Sequence, residues 1–302
     1  MRHTPLASLA AAQALQQTYR LAAIRGALSM QEFAAVTAVL EQAGVEATLV
    51  KGPAMAAFYP EPGLRPYGDL DYYVPPGQEE AAQRALLALP DRGIGVEVHA
   101  DHSFPCDYSV PEMLARGRKI TLGGTAVRTL RLEDHLRVLC LHLLCHGAWR
   151  PIWLCDIGVV LEDLPDSFDW DLLLSGRPLY VGWIRTVLEL AVQVLDARPD
   201  RIPEAARVQS LPGWLTTALY RQWARGTGLS TMGRFGGLGG VSPAHWLALA
   251  ASRWSNPIEA SVGLRAPFNG FPRFPLQLAH TTRRAAEWVF LHRRTVLRGG
   301  QP

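Results

Sequence analysis

Lysine is almost missing from this chain: only Lys51 and Lys119 occur among its 30 basic residues, the rest being arginine. A lysine set directly before Gly52 is therefore mildly suggestive. Cysteine is scarce as well, with four in 302 residues: Cys106, Cys140, Cys145 and Cys155 lie in apolar surroundings without C-x-x-C spacing. That argues against a disulfide-stapled scaffold or a zinc finger and predicts reduced, buried thiols. No apolar run is read as reaching the roughly 18 residues of a membrane span, and no N-terminal stretch joins a basic start to an apolar segment and a small-residue cleavage site. The expectation is a soluble, cytoplasmic protein without a transmembrane segment. A strong charge of one sign is lacking too, since the net charge of +3 argues against a polyanion-coating protein. The charge is nonetheless uneven: between Arg253 and Pro302, eight arginines face two acids, Glu259 and Glu287.

What is present is an alternation of helix and strand signals to about residue 130, followed by helices. Alanine- and leucine-rich stretches at 6–28 and 30–43 carry helical periodicity, the second running from Met30 through Phe33, Val36, Val39 and Leu40 to a stop at Gly44. Strands are expected at 45–50, 69–74 and 94–100. Gly52-Pro53 opens a short helix over 54–59, a loop spans 60–66, and an amphipathic helix covers 78–89. A hairpin about Gly123-Gly124 closes this half. Helices are then expected at 132–146, 153–161, 179–195, 214–223, 245–254 and 276–297. The predicted class is α+β: a mixed sheet with flanking helices over residues 1–130, then a mainly helical domain over 131–302.

Residues 68–74 read Gly-Asp-Leu-Asp-Tyr-Tyr-Val. In a strand, positions i and i+2 share a face, so Asp69 and Asp71 stand side by side while Leu70, Tyr72 and Val74 turn into a core. Adjacent like charges repel. A hard divalent cation relieves that repulsion, because it takes carboxylate oxygens and keeps its remaining sites for water and phosphate. Further on, the same alternation puts Glu97 and His99 on one face and Val96 and Val98 on the other. By themselves the three acids fit either metal binding or a merely solvated strand.

Leu49-Val50-Lys51-Gly52, Phe58-Tyr59-Pro60, Arg65 with Asp69-Leu70-Asp71, and Val96-Glu97-Val98-His99 together resemble the bacterial family of uncharacterised nucleotidyltransferases. That family lies in the superfamily typified by DNA polymerase β, and the resemblance continues at Leu141-His142-Leu143-Leu144-Cys145-His146-Gly147 and Asp156. It spans about residues 30–165 and implies an N-terminal polymerase-β-like catalytic sheet. The implied reaction moves NMP from an NTP to a hydroxyl or phosphate acceptor and releases pyrophosphate by a two-metal mechanism. Asp69 and Asp71 would bind two Mg²⁺ ions, with Mn²⁺ as the alternative, and Glu97 would complete the site. The turn at Gly52 would present helix-end N–H groups to the β and γ phosphates, with Lys51 and Arg65 neutralising further charge. His99, His146 and Asp156 complete the expected nucleotide- or phosphate-binding set. One departure stands out: the usual serine after the glycine is replaced by Pro53, which has neither hydroxyl nor N–H.

Other readings stay open. The chain could be a non-catalytic nucleotide-binding regulator, or a variant transferring a phosphosugar or glycosyl phosphate at the same site. His135, His142 and His146 fall close to one helical face, and the i, i+4 pair His142 and His146 could bind zinc with Asp156, although the zinc-protease signature is absent. Trp149 reads as a packing residue, with stacking on a base as its alternative. Arg283, Arg284, Arg293, Arg294 and Arg298 form a basic amphipathic surface with Trp288, Val289, Phe290 and Leu291; a solvated face, an anionic acceptor and a membrane surface all fit it. The acceptor itself is open among small molecules, peptides or proteins, and RNA ends.

Overall fold

Five short strands form one mixed sheet: β1 (Thr48–Leu49), β2 (Asp69–Tyr73), β3 (Gly95–His99), β4 (Arg118–Leu122) and β5 (Thr125–Thr129), in the order β3-β2-β1-β5-β4. β2 lies parallel to β3 and β1 parallel to β5, while β1 with β2 and β4 with β5 are antiparallel. The structure, a computed structural model, describes residues 9–61, 64–89, 93–224 and 254–298, with side chains to residue 287. It divides into two units, Met1–Val138 with Val159–Leu173, and Leu139–Gly158 with Leu174–Pro302.

The alternation read from the sequence is what builds the first unit's core. Leu70, Tyr72 and Val74 from β2 and Leu49 from β1 pack with Phe33, Val36 and Leu40 of α1 (Leu9–Gln42) and with Ala82 and Leu86 of α3 (Glu79–Leu87). The Tyr72 hydroxyl shares a 2.9 Å hydrogen bond with Thr37, so this polar atom is satisfied. Between these elements lies a short helix, α2 (Pro53–Ala56), with proline in its first turn.

α1 corrects the expectation of two helices. Nothing between Leu28 and Met30 stops it: Ser29 is a poor breaker among alanine and leucine neighbours, and no proline intervenes. Its stop is the expected one. Gly44 takes φ +69°, its N–H donates to Glu41 O at 2.9 Å, and the Val45 N–H reaches back to Leu40 O at 3.0 Å. This pair of bonds satisfies the last carbonyls of the helix, with Val45 and Leu40 both buried.

Three short helices were not anticipated. α4 (Val110–Ala115) begins in a capping box, Ser109 Oγ accepting from the Glu112 N–H and Glu112 accepting from the Ser109 N–H, a signal present in the letters S-V-P-E. After α5 (Leu132–Cys145) and α6 (Pro151–Glu162) comes α7 (Trp170–Leu173). The second unit continues with α8 (Pro178–Leu195), α9 (Gly213–Ala224), α10 (Pro257–Gly263) and α11 (Phe274–Arg298). α10 is announced by Asn256-Pro257: the Asn256 carboxamide oxygen accepts from the Ile258 N–H at 2.7 Å and proline occupies the first turn. The helix expected at 245–254 lies outside the described residues apart from its last position.

α8 is the one helix among the described residues with the length and composition of a membrane span. It is long and apolar enough, yet 56% of it is buried within the protein. It also carries the buried Glu189, which pairs with Arg207 at 3.2 Å, and Trp183, whose indole N–H donates to Ala266 O at 3.0 Å. These are the features of a core helix. None of the four cysteines is disulfide-bonded.

Candidate active site on the sheet

The face of β2 opposite the core carries Asp69, Asp71 and Tyr73. The parallel register sets Asp71 beside Glu97, Tyr73 beside His99, and Asp69 beside Gly95. Because side chains directly across a ladder project the same way, three ligating groups converge: one ligand atom each from Asp71, Glu97 and His99 lies within 4.8 Å of the others. His99 Nε2 is 3.3 Å from Glu97 Oε2 and 4.0 Å from Asp71 Oδ1. Burial grades across the cluster, from 6% exposure at the Asp71 side chain through 33% at His99 to 59% at Glu97. The buried end therefore fixes geometry and the exposed end meets solvent or a ligand.

Asp69 is on the same face but outside that trio, next to a residue without a side chain. A Cβ at Gly95 would sit in ordinary contact with Gly68 O at 3.7 Å and Asp69 Cβ at 3.8 Å.

Lys51 enters from the neighbouring strand. β1 pairs with β2, and one residue beyond it the Val50 N–H donates to Asp71 O at 3.0 Å. This anchor brings Lys51 Nζ to 2.9 Å from Asp71 Oδ1, with the lysine side chain 19% exposed. An ammonium so placed compensates the charge of a carboxylate that water hardly reaches. Gly52 then bends the chain at φ 58° and ψ −118°, and a Cβ there would press to 3.1 Å from Asp69 O, so glycine is required. The N–H groups of Ala54 and Met55 donate to Lys51 O and Gly52 O, and the turn uses them internally. Arg65 is 8% exposed and donates to Pro66 O at 3.1 Å. It lowers the phenol pKa of the adjoining Tyr67, which burial outweighs and pushes up to about 12.

Behind the trio stand two residues that the sequence reading did not assign. Burial, reinforced by the negative charges of Asp71 and Asp101, holds the Tyr73 phenol far above its ordinary range, so it keeps its proton. Its oxygen lies 2.8 Å from His102 Nδ1, and His102 Nε2 lies 2.9 Å from Tyr108 O. A carbonyl can only accept, so Nε2 carries the proton and Nδ1 accepts from Tyr73. Burial lowers the His102 pKa, which favours this neutral form. The Tyr73 ring meets His99 edge on at 6.4 Å. Tyr73 was legible, since the alternation that sets Asp69 and Asp71 on one face includes it; His102 sits in a loop whose path no local pattern announces.

His135 of α5 is buried, and its Nε2 has no hydrogen-bond partner. Burial first, then the charges of Arg118 and Lys51, push its pKa down to about 3. It is a neutral imidazole in the electrostatic reach of Lys51.

The other expected residues, His146 and Asp156, belong to the second unit; Asp156 is fully buried and His146 exposed. Among the described residues, the one group of three or more side chains able to hold a metal is Asp71, Glu97 and His99. His142, His146 and Asp156 do not form such a group, which removes the geometric basis for a zinc hydrolase.

The donor set fits a divalent cation. Two carboxylates supply hard oxygen ligands suited to Mg²⁺ or Mn²⁺, and the imidazole is a ligand that Mn²⁺ accepts more readily than Mg²⁺ does. The Lys51 ammonium against Asp71 already shows that the position calls for positive charge.

A mixed sheet carrying paired acids on its open face, with a helical remainder behind it in sequence, defines an α+β protein with an N-terminal nucleotidyltransferase domain. Residues 2–177 match the model of the family described as uncharacterised nucleotidyltransferase, and the chain belongs to that family. No curated protein is similar enough to count as a relative.

Proposed function

We propose that this protein is a metal-dependent nucleotidyltransferase that moves NMP from an NTP to a hydroxyl or phosphate acceptor, with pyrophosphate as the leaving group. The observation that carries the reading is the convergence of Asp71, Glu97 and His99 within 4.8 Å in a chain of a nucleotidyltransferase family. Asp71 and Glu97 would hold the divalent ion, with Asp69 as the further carboxylate for a second. Bound there, the metal supplies charge neutralisation to the phosphates and a lower pKa for the attacking hydroxyl.

The chain's own residues set the stage for that chemistry. Asp71 is held by the Lys51 ammonium and by the strand register, so its carboxylate is preorganised. Glu97, the most exposed of the trio, orients the His99 imidazole through its Nε2, 3.3 Å from Glu97 Oε2, and His99 would contact a phosphate oxygen or the acceptor. With the Asp71 charge balanced by a bound cation, Lys51, 2.9 Å from Asp71 Oδ1, would be available to pair with phosphate. This makes up for the hydroxyl that Pro53 lacks, and the enclosed amides of Ala54 and Met55 make a side-chain cation the better phosphate partner here. Arg65, on the loop leading into β2, adds positive potential. His146 and Asp156 are carried as nucleotide-binding residues by the family resemblance alone. The acceptor is a small molecule, a peptide or protein, or an RNA end, and the arginine-rich C-terminal helix is an anionic acceptor's natural contact. In that helix, Arg284 pairs with Glu259 at 2.8 Å and Arg283 with Glu287 at 3.5 Å, while the side chains of Arg293, Arg294 and Arg298 lie outside the described residues.

The test is to incubate the protein with each of four labelled NTPs, Mg²⁺ or Mn²⁺, and cell extract, then weigh the labelled product. An added mass equal to one NMP, absent with Asp71→Ala and with Asp69→Ala, supports the reading. Nucleotide binding without any adduct would transfer support to the regulatory alternative, and an adduct of sugar-phosphate mass to the phosphosugar variant.

A further inference from the structure

The loop that joins α5 to α6 has a constrained backbone. Gly147 and Ala148 are consecutive left-handed residues, at φ 65° and φ 56°, and a side chain with a Cβ rarely adopts that conformation. Two distant side chains hold it: Asn256 Nδ2 donates to Gly147 O at 3.0 Å and Trp223 Nε1 donates to Ala148 O at 2.9 Å. Gly147 has no freedom to be another residue, since a Cβ would press to 3.1 Å from Asn256 Cγ. Such over-determined backbone concentrates at functional sites.

What the loop displays is a set of rings and one guanidinium. Trp149 and Trp153 meet edge to face at 5.4 Å, and Trp153 also meets His142 at 4.6 Å and His146 at 5.5 Å. The Arg150 guanidinium lies 4.4 Å above the Trp149 ring and 5.5 Å from that of Trp153. His142 is buried, both indoles are half-buried, and His146 and Arg150 are exposed. All interplanar angles at the two indoles are steep, 54° to 79°. Among the described rings none lies flat on either indole.

We infer that this loop is a stacking platform for a nucleobase, with Trp149 as the principal ring, Trp153 as its side wall, and Arg150 and His146 as donors to the base edge or an attached phosphate. Base-on-indole stacking is tolerant of base identity because every base has a π-face, while the guanidinium adds attraction for the ligand's anionic part. The inference takes its ligand class from the nucleotidyltransferase reading. The base belongs either to the donor NTP or to a nucleotide acceptor.

Calorimetric titration of the full chain with adenosine, guanosine, cytidine and uridine, without metal, tests it separately from the chemistry on the sheet. The expected result is saturable binding, tightest for the two purines, with the adenosine dissociation constant rising about tenfold in Trp149→Ala and largely restored in Trp149→Phe. Arg150→Gln, a change at an exposed position that spares the rings, should weaken metal-free ATP by roughly threefold and adenosine less. Adenosine binding persists in Asp71→Asn whether or not the wild-type protein transfers a nucleotidyl group, so loss of transfer alone does not touch the inference. ATP displacing adenosine one for one assigns the base to the donor, and simultaneous binding of both assigns it to the acceptor. No heat with any nucleoside at millimolar concentration, or equal adenosine affinity in Trp149→Ala and wild type with unchanged melting curves, would overturn it.

Discussion

The two faces of β2 do opposite work with alternate residues of one short segment. Leu70, Tyr72 and Val74 are wholly buried against α1 and α3, whereas Asp69, Asp71 and Tyr73 face the side that carries Glu97 and His99. Apolar burial is insensitive to salt, pH and metal, while the charged face responds to all three. Stability and chemistry are thus separated by the pleat of a strand, and each can be perturbed with the other held constant.

The sharpest test of that separation is Asp71→Asn. It should lower nucleotidyl transfer by about 10³-fold, or roughly 4 kcal/mol of barrier, while the circular-dichroism melt stays near wild type. A variant that fails to fold would show that the charged face also carries the structure. On the other face, Leu70→Ala should remove about 3 kcal/mol of stability in denaturant titration and leave the transfer rate of the remaining folded molecules unchanged. If the folded fraction also lost activity, the two faces would be coupled.

Lys51 sits where the two properties meet. Lys51→Met leaves the Asp71 carboxylate without its counter-ion, at a cost of about 3 kcal/mol in metal-free buffer, the low end of the range because the lysine keeps some solvent. Millimolar Mn²⁺ should recover much of that stability and stabilise the variant more than the wild type. An equal response of the two proteins to the metal would separate Lys51 from the cation site.

Acid provides a milder probe. The His135 pKa in the folded protein, about 3, lies below its ordinary value of 6.5, so the unfolded chain takes up the proton first. Its contribution is complete above pH 6.5 and declines as pH falls toward 3, at up to about 1.4 kcal/mol per pH unit. His102 and His280, also lowered by burial, act in the same direction. His135→Leu should flatten the acid limb of a stability-against-pH curve; an unchanged slope would place the dependence elsewhere. The smallest expected effect is that of Tyr73→Phe, about 1 kcal/mol from removing the hydrogen bond to His102, seen as a melting shift without a matching loss of metal affinity.

Much of this was legible in the letters. Strand positions with period-2 alternation, the Gly44 stop, the Gly123-Gly124 hairpin and the α+β class all follow from local pattern. The short helices were missed for different reasons: α4 and α10 carry cap signals that were available at Ser109 and Asn256, while α7 spans only four residues and has almost no periodicity to detect. The break assumed near Ser29 failed because a polar residue without glycine or proline beside it does not interrupt an alanine-rich helix. At α8 a helix of membrane-span length and apolarity occurs, and its apolarity serves burial within the protein.

By itself, the sequence determined that Asp69 and Asp71 share a face turned away from the core, that Glu97 and His99 share another, and that the chain is of nucleotidyltransferase type. Those properties are local, resting on the two-residue repeat of a strand and on motifs a few residues long. Only the tertiary structure decided which of these groups meet. Ladder register is a non-local choice, and it set Asp71 against Glu97 while giving Asp69 a glycine for a neighbour. The antiparallel pairing of β1 with β2 delivered Lys51 to Asp71, and the chain's path placed His102 behind Tyr73. Charges so arranged are attracted or repelled through space, and sequence distance has no bearing on that energy.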